Sequence, residues 1–203
     1  MTTERRKARR LSARFMTAAC LWLAGAMPWQ WPEVRADPLE GALEVQSAFV
    51  SVVGGVYELN VRTRYPSSQN AAGVLRDGVS LSYDVDVEVS RERRFWINEN
   101  IVSLQLKREL SYHSVSERYV VRDPLLEGEQ KSYATLGEAL VAIGSIERWP
   151  ILVASQVTEP GNYLVSVRAG VRRGRLTNAL RVLMFWSDDW QRESDWYSWS
   201  LPR

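Results

Sequence analysis

The sequence predicts an all-β protein, mainly an antiparallel β-sandwich of immunoglobulin-like kind with two short helices. Three observations carry this reading. Apolar and polar residues alternate over segment after segment; Gly, Pro, Asn and Ser fall between those segments; and only two stretches look helical. Alternation of this sort belongs to antiparallel sheets with one face on a core and one in water.

Residues 37–44 are a polar lead-in, and residues 45–53 read as the first strand, ending at the turn signal Gly54-Gly55. In residues 56–65, Tyr57, Leu59, Val61, Thr63 and Tyr65 share one face, with Glu58, Asn60, Arg62 and Arg64 on the other. Pro66-Ser67-Ser68 breaks this strand. Residues 70–76 then make a short helix, capped by Asn70 or Ser68 and stopped near Gly78. The clearest strand spans residues 79–89, where Val79, Leu81, Tyr83, Val85, Val87 and Val89 alternate with Ser80, Ser82, Asp84, Asp86 and Glu88. The charged Arg91-Glu92-Arg93-Arg94 and then Trp96 follow. Val102, Leu104, Leu106, Leu110 and Tyr112 resume the alternation, with residues 117–122 as hairpin partner.

Residues 123–132, with Pro124 and Gly128, read as a loop. Thr135 and Glu138 form a capping box, each side chain bonding the other's backbone amide, and open a helix over residues 136–143 that ends at Gly144. Residues 149–157 are a strand whose Pro150 confines its start to an edge or end position. Gly161-Asn162 turns the chain into residues 163–171, with Tyr163, Val165, Val167, Ala169 and Val171 inward. Leu180, Val182, Met184 and Trp186 make a last alternating face.

The N-terminus reads as a secretory signal over residues 1–36. Arg5, Arg6, Lys7, Arg9, Arg10 and Arg14 precede an apolar run at residues 15–27, and Val34-Arg35-Ala36 offers a cleavage site. The run is shorter than the roughly 20 apolar residues of an ordinary span. Its aromatic flank at Trp29 and Trp31 keeps an uncleaved anchor as the alternative. The leader holds 7 of the 26 basic and 2 of the 24 acidic residues, so residues 37–203 carry a net charge of about −3. That removes the compositional case for nucleic-acid binding. Cys20, the one cysteine, lies in the leader, so the mature chain offers no disulfide, thiol nucleophile or thiolate metal site. A single domain over residues 37–203 must stand on its hydrophobic core.

Residues with chemical potential are few. His113, the sole histidine, has no sequence-near partner and reads as structural or surface-exposed. Asp84, Asp86 and Glu88 lie about 7 Å apart along one strand face, too far to share a cation. They read as a solvated face, their repulsion eased by a neighbouring strand bearing Arg62 and Arg64, or Lys107 and Arg108. The C-terminus concentrates Trp190, Trp196, Tyr197 and Trp199 beside Asp188 and Asp189. These six residues are the candidate ligand- or partner-binding set. They fit either a lid closing the core or a sugar-binding groove of aromatic platforms and carboxylates. No catalytic constellation, metal-ligand set or cofactor motif is present in the sequence, which points to a non-enzymatic protein.

The Arg-x-x-Arg-Phe-Trp segment at residues 91–96 and the Thr-Leu-x-x-Ala-Leu helix at residues 135–140 resemble the DUF4390 family, exported proteobacterial proteins of unknown function. So does the closing Trp-x-x-x-Ser-x-Trp-Tyr-x-Trp at residues 190–199. The family's Pro-rich approach to its late strand is replaced here by residues 174–178. The resemblance implies an envelope role, near a membrane sensor kinase of the nitrogen-regulation type, and supplies no catalytic residues. The expectation is therefore a periplasmic or secreted binding domain, inner-membrane-anchored if the leader is retained. Its expected partner is an envelope protein such as the periplasmic domain of that kinase. The alternative is a carbohydrate-binding or glycan-cleaving module built on the C-terminal Trp/Asp cluster.

Overall fold

The computed structural model describes residues 39–94, 96–123, 125, 129–174 and 190–202, all of them within the unit Ala36–Arg203. The leader, Asp188, Asp189 and the alternating face at residues 180–186 lie outside the described residues.

The chain opens with a hairpin of β1 (Glu44–Val53) and β2 (Val56–Arg64), then α1 (Gln69–Arg76). A meander follows: β3 (Leu81–Arg91), β4 (Glu99–His113), β5 (Arg118–Arg122) and β6 (Gln130–Tyr133). Next come α2 (Leu136–Gly144), β7 (Ser145–Val153) and β8 (Tyr163–Arg173), and finally the short β9 (Gln191–Glu193) and β10 (Tyr197–Ser200). A small sheet has the order β1-β2-β7; a large one has the order β10-β8-β3-β4-β5-β6, with β9 also beside β8. Every pairing among the described residues is antiparallel. The fold is thus the expected mainly antiparallel sandwich with two short helices. Each helix carries the chain between sheets, α1 from small to large and α2 back.

The inner face of the large sheet is covered in two halves. At one end Val85, Val87 and Val89 of β3 and Val165 and Val167 of β8 pack against Leu59, Val61, Trp149 and Ile151 of the small sheet. At the other, Leu81, Tyr83, Ala169 and Val171 pack beneath Leu75 of α1 and Leu136, Leu140 and Ile143 of α2. Strands β3 and β8 run through both. The alternation read from residues 56–65 holds, with Tyr57, Leu59, Val61, Thr63 and Tyr65 all buried.

Both helices begin as their sequences dictate. Ser68, rather than Asn70, caps α1 by accepting from the Ala71 amide at 3.0 Å. Thr135 accepts from the Glu138 amide at 3.2 Å while Glu138 accepts from the Thr135 amide at 3.3 Å, which completes the capping box. Helix α2 passes directly into β7, and Gly144 marks the join. A Cβ at Gly144 would stand 2.3 Å from the backbone oxygen of Thr63, so no other residue fits without moving β2.

Three boundaries differ from expectation. The loop assigned to residues 123–132 contains the start of β6, whose inward residues are Lys131 and Tyr133 rather than a pair of hydrophobics. Strand β7 begins at Ser145, ahead of the expected residue 149, and register shifts opposite Glu58 and Asn60 break its alternation. In the second shift Arg148 adopts a positive φ of 51° and its amide donates to Asn60 Oδ1 at 3.1 Å. Pro150 does lie on an edge strand. The C-terminal aromatic segment supplies strand residues of its own, in β9 and β10.

Tyr65 and Tyr83 meet edge to face, ring centroids 4.8 Å apart, where the two halves of the core adjoin. The Tyr65 hydroxyl donates to the Asp84 carbonyl at 3.2 Å. Burial pushes Tyr65 from 10.0 up to about 12 and raises Tyr83 as well. The folded state therefore keeps a phenol proton that the unfolded chain releases above pH 10. Stability should fall as pH rises from 10 through about 12, by about 2–3 kcal/mol for Tyr65. Urea denaturation across that range should show a shallower decline in Tyr65→Phe; identical slopes would refute the assignment.

Candidate functional site

The C-terminal aromatics are divided among different surroundings. Trp199, opposite Val165 in β8, is half-buried against the sandwich half of the core. Tyr197 lies beside it, centroids 5.7 Å apart, and is 41% exposed. Trp190 packs at the margin of the helical half. Trp196 is 40% exposed and stacks on the Arg168 guanidinium, 4.6 Å from its ring centroid. The register puts Arg168 on the opposite, outer face of the sheet from Val167 and its partner Tyr197. Of the six candidate residues, the described four thus do not form one row of platforms.

The polar face of β3 is an ion-pair network at Asp84 and Asp86 rather than a solvated surface, while Glu88 is exposed as expected. Ser82 and Asp84 are buried. Asp84 pairs with Arg172 at 2.8 Å, Asp86 with Arg168 at 3.1 Å, and Arg168 in turn with Glu193 at 2.6 Å. Gln105 donates to Asp86 at 2.7 Å. Desolvation holds the Asp84 carboxyl above its ordinary range despite the Arg172 bond. The compensating charges come from β8, with Lys107 of β4 opposite Asp84. Arg62 and Arg64 belong to the small sheet, away from β3, and β3 is an interior strand rather than an edge. His113 makes a local turn contact with Ser116 at 2.9 Å. No group of three or more His, Cys, Asp or Glu side chains suited to a metal ion occurs among the described residues.

Arg108 also departs from expectation. It lies on the inner face of β4, in line with Leu106 and Leu110, and is 7% exposed. Its guanidinium pairs with Asp123 at 2.8 Å. Nη1 donates to the Ile143 and Ser145 carbonyls at 2.5 and 2.9 Å, and longer, at 3.4 Å, to Ala142. A cation thus sits on the C-terminal carbonyls of α2, where the helix dipole favours it. Nε–H is buried without an acceptor, at a cost of roughly 1–3 kcal/mol. The clue in the sequence is the one cationic position in the apolar series Val102, Leu104, Leu106, Leu110, Tyr112.

The third feature is the β3–β4 connection. Trp96 is 81% exposed and Ile97 92%, two large apolar side chains at the tip of a hairpin. The base beneath them is fastened. Arg93 pairs with Glu99 at 2.6 Å, and Arg91 pairs with both Glu99 and Glu159. Hydrogen bonds from Arg93 and then Arg91 hold the Glu99 carboxyl below its ordinary range. The sequence showed Trp96 following a charged run, but alternation reports on sheet faces and is silent about loop tips.

Fold and site together define a two-layer antiparallel β-sandwich domain that presents an apolar hairpin tip on an ion-paired base. The chain belongs to the DUF4390 family, described as a domain of unknown function, whose family model matches residues 40–200. Comparison with curated proteins finds no match, and comparison with solved structures finds none either. No helix among the described residues is long and apolar enough to cross a membrane.

Proposed function

We propose that this domain is a non-enzymatic interaction module of the bacterial envelope, periplasmic or secreted, that docks a protein partner through the tip of the β3–β4 hairpin. The observation that carries the reading is the exposure of Trp96 and Ile97 over a base fixed by ion pairs. Aromatic anchors of this kind are what binding hot spots are made of. The charges around the tip balance, Arg91, Arg93 and Arg94 against Glu92, Glu99 and Glu159. Such a surface has no excess positive charge to draw it to anionic lipid, which favours a protein groove. Leu39 joins the domain at the helical half of the core, the end of β3 remote from the tip. The periplasmic part of a membrane sensor kinase is the partner that the family resemblance favours.

The test is co-purification of that kinase domain with the full-length chain and with a Trp96→Ser/Ile97→Ser variant. Capture should fall at least about tenfold in the variant, at unchanged thermal stability. Capture by the variant at the wild-type level, or no capture by wild type, would sink the proposal.

A further inference from the structure

An open cleft of about 320 Å³ lies where α2 hands over to β7, beside residues of β4, β5 and β6. That volume is at the small end of the range for ligand pockets. Its lining combines two cations, Arg108 and Lys131, with two anions, Asp123 and Glu147, and apolar surface from Val121 and Tyr133. The register explains the charge. Lys131 is paired with Val121 across β5 and β6, so an edge strand turns its lysine toward the covered face. Asp123 follows β5 directly and meets Arg108.

We infer that this cleft binds a small zwitterion, an apolar amino acid or short peptide. Arg108 and Asp123 neutralise each other, which leaves Lys131 and Glu147 to offer one partner to each end of such a molecule. A simple anion would meet Lys131 but be repelled by Glu147, and a simple cation the reverse. A carboxylate in the cleft meets Lys131, and the Arg108 guanidinium that helps line the cleft adds positive charge beside it. Glu147 takes the ammonium, since Asp123 is already committed to Arg108 and to the Leu125 amide. Val121 and Tyr133 receive the apolar side chain. The inference is independent of the hairpin tip.

Calorimetric titration of the full-length chain with leucine, leucinamide and N-acetylleucine tests it. Leucine should bind, and each derivative, lacking one charge, should bind at least about tenfold more weakly. Lys131 and Glu147 are exposed, so their variants should fold. Lys131→Gln should weaken leucine but not leucinamide, and Glu147→Gln should weaken leucine but not N-acetylleucine. A flat leucine titration up to about 10 mM, equal binding of all three compounds, or variants that leave leucine binding unchanged would each overturn the assignment.

Discussion

Replacing Arg108 by methionine is expected to destabilise the domain by about 3–5 kcal/mol in urea denaturation. The change strands the Asp123 carboxylate, itself only 7% exposed, without its cation. It also strips the donor from the carbonyls that end α2. Ion pairs at the surface contribute little, but removal of one partner of a buried pair leaves the other charge desolvated and uncompensated. Replacing Asp123 by leucine in the same chain removes that charge. The Arg108→Met/Asp123→Leu variant should therefore be more stable than Arg108→Met alone. Equal loss in both would mean that capping of α2, not the ion pair, is the larger part of what Arg108 does.

Gly144→Ala should cost about 3 kcal/mol, the upper end for an overpacked position. The methyl group would meet the Thr63 backbone oxygen at 2.3 Å, which cannot retreat without disturbing β2, and the Thr63 hydroxyl at 3.1 Å. The Thr63 hydroxyl also donates to the Gly144 carbonyl at 3.3 Å, so any shift loosens that bond. Gly137→Ala in the same helix is the control. Nothing lies within 4 Å of a Cβ there, and alanine should stabilise by up to about 1 kcal/mol. If the two variants had equal stability, close packing between α2 and β2 would not be the reason for glycine at the join.

Much of the fold could be read from the chain because most strands have one wet and one dry face. In β2 the alternation picks out the buried residues one by one, in β3 it picks out the apolar face although Ser82 and Asp84 are buried too, and in α2 the capping box locates the first turn. Where the reading stops, the physics changes. Strand β6 presents Lys131 inward, at the margin of the sheet where the covering layer leaves an open cleft. A charge there costs little, so no apolar signal is needed. Strand β7 carries two bulges, each of which flips the phase of its pattern. Arg108 shows the same limit from the other side. Its neighbours Leu106 and Leu110 placed it on the core face, yet a cation there makes sense only once the carbonyls of α2 and the carboxylate of Asp123 are known to lie above it. The C-terminal tryptophans were visible as a group, but their division between core margin and outer surface depends on pairing with β8, which composition cannot convey.

The sharing of β3 and β8 between both halves of the core fixes when folding can finish. Leu81 finds Leu110 on one side early in the chain, but its partner on the other side is Arg173. The small sheet likewise waits for β7. Non-local pairing of this kind folds slowly, because loop closure precedes the contacts that reward it. The order of strands is thus a timing device. The interior strand β3 keeps an open flank until the last quarter of the sequence has been made.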